Sequence, residues 1–283
     1  MVDFIKLIRV KHFFKNIIIF LPLVFSGLFF NMSLILRVIY GFICFSLIAS
    51  CIYIINDIRD YENDKKHPTK KNRPIASGAI SIKKASYYCI FLFLIANILI
   101  ILFKMPLIAA FLLYFYFILN VAYSMKLKNI PFLDIIILVS GFVIRLVFGA
   151  QLINIPLSNW LLLTVITISF YMGLGKRRGE LGKNTRSVLK YYTKEFLDKN
   201  MYMLLSCSIV FYSLWTVDSK VVLKNNNYLV WTVPLVILMA MKYSMNIEGV
   251  SDADPVEVLF HDKLLICLIL IYIVVMFLLL YVL

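Results

Sequence analysis

GFICFSLIASCIYIINDIRDYENDKKHPTKKNRPIASG, residues 41–78, passes from unbroken apolar sequence to a knot of acids and then to a knot of bases. If the apolar helix continues past Ile55, Asp57, Asp60 and Asp64 fall at i, i+3 and i+7 and share one face, with Asn56 one turn before Asp60. Three carboxylates on one stripe repel one another unless a cation lies between them. Oxygen ligands without His or Cys favour a hard ion such as Mg2+, which takes carboxylates together with substrate phosphate oxygens. The bases that follow, with Lys70 and Arg73 foremost, suit those phosphates. A solvated helix end, its acids paired with Arg59, Lys65 and Lys66, is the competing reading. It is the weaker one, because these acids adjoin an apolar span and precede a basic stretch. A diphosphate site is expected here.

The rest of the chain agrees with a span at this point. Of 283 residues, 62% are hydrophobic and 16% charged, and the mean hydropathy is +0.91. Soluble domains are about 45–50% apolar and about 25% charged, so a water-soluble globule is excluded, as are disorder and a disulfide scaffold. The five cysteines are scattered, with no CxxC and no Cys/His cluster, so neither disulfides nor zinc is implied. A spanning helix needs about 20 mainly apolar residues, and nine runs qualify: 16–32, 34–56, 85–103, 106–124, 132–152, 159–175, 201–219, 228–246 and 264–283. The first looks like a signal-peptide core but lacks a good cleavage site at Ser26-Gly27, and is kept as a helix. The expected fold is all-α, a polytopic membrane bundle of nine transmembrane helices.

Orientation follows from the cations. With the N-terminus inside, 24 of the 29 Lys and Arg fall on the cytoplasmic side, four outside, and Arg145 within a span. Such a bias places the N-terminus and the loops 57–84, 125–131, 176–200 and 247–263 in the cytoplasm and the C-terminus outside. Residues 1–283 are expected to form a single integral membrane domain whose chemistry lies in those loops.

Asn56 to Asp64 fits the NDxxDxxxD motif of the UbiA-type intramembrane prenyltransferases, which this chain resembles over nearly its whole length. Further blocks resemble the branch of that superfamily that makes polyprenyl-phosphoryl phosphoribose. They are HPxKxxRPIASG from His67 to Gly78, Tyr123-Ser124 with Lys128 and Asp134, and Gly141 to Arg145. The most discriminating is Gly175-Lys176-Arg177-Arg178-Gly179-Glu180-Leu181. A fourth block, Pro255, Glu257, Asp262 and Lys263, departs from the pattern by an inserted Val256 and by Lys in place of Arg. The resemblance implies a UbiA-like fold and Mg2+ as cofactor. It implies phosphoribosyl diphosphate and a polyprenyl phosphate as substrates, and Lys128 as a phosphate contact with Tyr123 donating to the same group.

The remaining polar groups are weighed singly. Lys176, Arg177, Arg178 and Glu180 are either a positive-inside anchor or a phosphate clamp. The clamp gains because relatives acting on aromatic acceptors carry a second acidic motif, DxxxD, where this loop is basic. Arg145, mid-span, costs at least about 2.5 kcal/mol without a partner or water. Asp134 lies three turns earlier on the same face, about 16 Å away, so the two cannot pair. Gly141 and Gly149 flank Arg145 and permit close helix packing. Asp252, Asp254, Glu257 and Asp262 form an acidic patch that reads best as a solvated loop.

The expected activity is Mg2+-dependent transfer of 5-phosphoribose from 5-phosphoribosyl 1-diphosphate to a polyprenyl phosphate. Asp57, Asp60 and Asp64 are expected to hold the metal, and Asn56, Lys70, Arg73, Tyr123, Lys128, Asp134, Arg145, Lys176, Arg177, Arg178 and Glu180 to serve the substrates. Prenyl transfer from an allylic diphosphate to an aromatic acceptor is the alternative within the superfamily. A lipid or solute transporter is the alternative of another class, disfavoured because the charges gather at the inner end. The expected location is the plasma membrane, with the active site cytoplasmic.

Overall fold

The computed structural model describes residues 2–182, 187–219, 221, 228–248, 258 and 262–282. The described residues are helices joined by short loops. Helix α1 (Val2–Leu7) leads into a 3-10 segment (Val10–Phe20) and α2 (Leu21–Phe25). Helices α3 (Met32–Arg59), α4 (Tyr61–Lys66), α5 (Ile82–Leu102), α6 (Leu107–Met125), α7 (Leu133–Ile153), α8 (Asn159–Glu180) and α9 (Lys194–Thr216) follow, and then Val233–Glu248 and Lys263–Tyr281.

Among the described residues six helices are long and apolar enough to cross a membrane: Met32–Arg59, Ile82–Leu102, Leu107–Met125, Leu133–Ile153, Tyr228–Glu248 and Lys263–Tyr281. This is a multi-pass membrane protein. Two more of the nine expected spans, α8 and α9, are long helices but carry more hydroxyls, among them Thr164, Thr167, Ser169, Ser206 and Ser213. Each of these hydroxyls bonds back to its own helix. The first expected span is not one helix. Arg9 is left-handed (φ 54°, ψ 51°), the next eleven residues wind as a 3-10 helix, and Pro22, which has no N–H to donate, opens the five-residue α2.

The chain gathers into two compact units, residues 1–127 with 144–155, and residues 128–143 with 156–283. In the first unit α3 is the axis. Asn31 caps it by accepting from the N–H of Ser33 and Leu34. Phe45, Ile48 and Cys44 on α3 are buried against Ile19, Leu113, Tyr116 and Phe148. At its far end Cys51 and Ile54 share a core with Leu7, Ile75 and Leu92. In the second unit α8 packs along α9, and Tyr171, Leu174, Leu197 and Met201 form the core with Ile135, Val139 and Ile247.

Gly149 is where the 3-10 segment meets α7. A Cβ at that position would overlap the carbonyl oxygen of Ile19, and a backbone atom cannot swing aside as a side chain can. Gly149→Ala is therefore expected to cost about 1–3 kcal/mol, the usual range for overpacking, read as a lower melting temperature of the detergent-solubilised protein. An unchanged melt would mean that the segment does not lie there.

Candidate functional site

The acidic cluster straddles a one-residue interruption of the helix at Asp60. Asp60 takes φ −86°, ψ 7° at the end of α3 and donates its N–H to the carbonyl of Asn56 at 2.9 Å. Helix α4 restarts at Tyr61, and Asp64 donates its N–H to the carbonyl of Asp60 at 2.8 Å. Asp57 and Asp64 are buried, at 3% exposure each, while Asn56 and Asp60 are half-buried.

Arg73 brings the two buried acids together. Its Nη1 donates to Asp57 Oδ1 at 3.0 Å and to Asp64 Oδ2 at 2.6 Å. The local sequence explains why it can. His67 ends α4 and its Nδ1 accepts from the N–H of Thr69 and Lys70, tightening the turn into Lys70–Asn72. Beyond Arg73, Ile80 donates back to the carbonyl of Pro74 at 2.9 Å, and Gly78 supplies the φ of 81° that closes this turn. Ile75 and Ile80 sink into the core beside Cys51 and Ile54. The backbone of Arg73 is thereby pinned by apolar neighbours while its head group faces the carboxylates.

A residue not singled out in the sequence completes this centre. Arg9 donates through Nη2 to Asp57 Oδ1, and its guanidinium lies over the ring of Tyr53, 4.8 Å from the centroid. Tyr53 and Asp57 are one turn apart on α3, so one face of the helix supplies both contacts. The left-handed backbone of Arg9 costs about 1–2 kcal/mol. Its neighbours hold it: Leu7 is fully buried, and the carbonyl of Ile8 accepts from Ser50 Oγ at 3.0 Å. In the sequence Arg9 is one of several basic residues ahead of the first apolar run, and nothing there links it to an acid 48 positions later.

Arg145 is buried in the same unit. Its guanidinium lies between the rings of Phe45 and Tyr116, at 4.9 and 4.8 Å. It donates to Asn16 Oδ1 at 2.7 Å and to the Tyr116 hydroxyl at 2.9 Å, and Asn16 in turn donates to Ser46 Oγ at 2.9 Å. It ties the 3-10 segment to α3, α6 and α7. This is the role of an internal brace. Arg59, past the span, donates to the carbonyl of Met125 at 2.9 Å and joins the ends of α3 and α6. Tyr123 on α6 is half-buried.

In the second unit the basic motif divides in two. Arg177, expected at a phosphate, is instead fully buried, with Nε on Asp134 Oδ2 at 2.5 Å and Nη1 on Glu180 Oε2 at 2.7 Å. Asp134 is fully buried too, and its other oxygen accepts from the Tyr192 hydroxyl at 2.7 Å. Burial, and the bond to Asp134, push that hydroxyl up to about 12, so it stays protonated and donating near neutral pH. It also accepts from the Phe132 N–H at 2.7 Å. Asp134, Arg177 and Glu180, with Tyr192, join α7, α8 and the segment after it. Lys176 and Arg178, on either side, are half-buried. Arg178 pairs with Asp198 and reaches the carbonyl of Ile247 at 3.4 Å. Lys128, in the turn Leu127–Asn129, is half-buried.

The acidic patch of the last loop falls mostly outside the described residues, namely Asp252, Asp254 and Glu257. Asp262 caps the final helix by accepting from the N–H of Leu265 at 2.9 Å. Its bond to Lys242, at 2.8 Å, holds its carboxyl below the usual range.

Among the described residues no three His, Cys, Asp or Glu side chains gather closely enough to hold a metal ion. Two do converge on one point, the Arg73 nitrogen between Asp57 and Asp64. Both are hard oxygen donors and both are desolvated. Such a pair fits Mg2+, which is commonly bound by one or two carboxylates with the rest of its shell from water and substrate phosphate. Chemically, the centre offers carboxylates for a cation and two guanidinia whose planar fork suits phosphate oxygens.

Comparison with known proteins shows the family of the chain. The model of the UbiA prenyltransferase family matches residues 18–264. Decaprenyl-phosphate phosphoribosyltransferase of Mycolicibacterium smegmatis is 32% identical, covering 92% of this chain and 87% of that one. The protein of the same name from Corynebacterium glutamicum is 30% identical, over 92% and 81%. Among solved structures, a UbiA homolog from Archaeoglobus fulgidus bound to GPP and Mg2+ superposes with a TM-score of 0.72 at 16% identity, covering 98% of this chain and 99% of that one. At that identity the likeness is one of fold.

Proposed function

Because the chain belongs to the UbiA prenyltransferase family, we propose that it is the member that transfers 5-phosphoribose from 5-phosphoribosyl 1-diphosphate to a polyprenyl phosphate, with release of diphosphate. The observation that carries this reading is the convergence of Asp57 and Asp64 on one cationic point, in a chain similar over nine-tenths of its length to proteins named for that transfer.

Asp57 and Asp64, with Asp60 and Asn56 at the break between α3 and α4, would hold Mg2+. The ion supplies charge neutralisation on the leaving group. Arg73, Arg9 and Lys70 bind phosphate oxygens directly. Their fixed position matters most where water is excluded, since each charge-directed donor there is worth several kcal/mol to a charged transition state. The ribose C1–O bond breaks with its electron pair going to diphosphate, and an oxygen of the lipid phosphate forms the new bond to C1. That oxygen is already anionic near neutral pH, so no general base is assigned. In the second unit Lys128, Lys176 and Arg178 are the phosphate contacts; in the first unit Tyr123 is a hydrogen-bond donor to substrate. Asp134, Arg177 and Glu180 position that basic motif, and Arg145 braces the first unit. The N-terminus and these groups face the cytoplasm, the C-terminus lies outside, and the membrane is the plasma membrane.

The test is a two-donor assay on the purified chain with Mg2+. Ribose-labelled phosphoribosyl diphosphate and polyprenyl phosphate are expected to give label in the organic phase. Product only from an allylic diphosphate and an aromatic acceptor would select prenyl transfer. Movement of substrate across a vesicle without product from either donor would select a transporter.

A further inference from the structure

Asp57 and Asp64 are too well buried to stand as bare charges, and the chain neutralises them from within. Asp57 is met by Arg9 and Arg73, and Asp64 by Arg73. In these pairs two carboxylates and two guanidinia balance one another. A divalent cation that joined all four groups would leave excess positive charge, which the half-buried Asp60 offsets only in part and which low-dielectric surroundings oppose. Arg73 Nη1 also occupies the point on which both acids converge, so cation and guanidinium compete for the same oxygens.

We infer that Arg9 and Arg73 are exchange residues: they hold the acids of the resting site and pass to the donor's phosphates when metal and donor arrive together. This inference rests on the donor-site reading above. The charges balance throughout the exchange. Two carboxylates are taken over by one divalent cation, and two guanidinia are released to an anionic diphosphate whose oxygens match their fork. The structure supports the mobility this needs at the right end of each side chain. The side chains of Arg9 and Arg73 are 18% and 25% exposed, where those of Asp57 and Asp64 are 3% and 5% exposed. Their backbones are anchored, by Leu7 and Ser50 on one side and by Ile75 and Ile80 on the other. The head groups can therefore swing without the chain moving. A consequence follows for loading order: metal without donor must displace both arginines unaided, and binds weakly; metal carried on the diphosphate does not.

The experiment is a Mn2+ titration, read by electron paramagnetic resonance, of the full detergent-solubilised chain and of its Arg73→Gln and Arg9→Gln variants, with and without phosphoribosyl diphosphate. Without donor, Arg73→Gln is expected to bind Mn2+ about tenfold more tightly than the parent, and Arg9→Gln to shift the same way by less. With donor present the order reverses, and Arg73→Gln loses at least about tenfold in donor affinity. Arg73→Lys, which keeps the charge but not the fork, should fall between, and stands in if the Gln variant fails to fold. Metal affinity unchanged or weakened in folded variants would overturn the exchange while leaving the site assignment intact. A parent chain that transfers phosphoribose yet binds no Mn2+, even with donor, would instead overturn the metal site itself.

Discussion

Replacing Asp57 or Asp64 by Ala is expected to lower phosphoribosyl transfer by at least about 10^3-fold, the upper range for removing one electrostatic contact to a developing charge. The acid is lost at the point where charge builds on the departing diphosphate. It also strands the arginines: Asp57→Ala removes a partner of both Arg9 and Arg73, and Asp64→Ala removes one of Arg73. Those arginines are partly exposed and water can reach them, so the loss of stability stays modest and the variant remains foldable. Asp57→Asn and Asp64→Asn keep the shape and remove only the charge, and should be nearly as inactive. Turnover of labelled donor, with a melting curve on the same sample, checks this. Full activity in both Ala variants would remove the acids from the mechanism.

The largest structural effect is expected at Arg177. Its guanidinium is fully buried and pairs with Asp134 and Glu180, and Arg177→Ala leaves the fully buried Asp134 and the half-buried Glu180 with their shared cation gone. Breaking a buried ion pair in this way typically costs about 3–5 kcal/mol, a large share of the roughly 5–15 kcal/mol that holds a domain folded. The protein should accumulate poorly and melt early. Lys176→Ala and Arg178→Ala, in contrast, should fold normally and lose donor or acceptor binding. The contrast separates the brace from the phosphate contacts within one short motif, by yield and melting temperature on one side and KM on the other. Equal behaviour of all three variants would show that the motif acts as one surface.

What could be read from the sequence, and what could not, divides along physical lines. The membrane class and the acids at the end of the second span were legible, because apolar run length and charge position are local properties. The helix break was not. Helical spacing puts Asp57, Asp60 and Asp64 on one stripe; it does not show that α3 ends at Asp60 or that Asp57 and Asp64 share the Arg73 guanidinium. Hydropathy likewise reported an apolar first segment and could not tell a spanning helix from a 3-10 segment set off by a left-handed Arg9. The pairings Arg9 with Asp57, Asn16 with Arg145 and Asp134 with Arg177 join residues 48, 129 and 43 positions apart. No periodicity carries such contacts. Arg177 was placed with the phosphate binders because its neighbours are basic, and only burial distinguishes it from Lys176 and Arg178.

The most direct test of the account is to locate the metal. Crystals of the full chain with Mn2+ and phosphoribosyl diphosphate should show one or more anomalous peaks bonded to both Asp57 and Asp64, with Arg73 moved from those carboxylates onto the donor's phosphates. A peak bound elsewhere, or a bound donor with Arg73 still bridging the two aspartates, would contradict it.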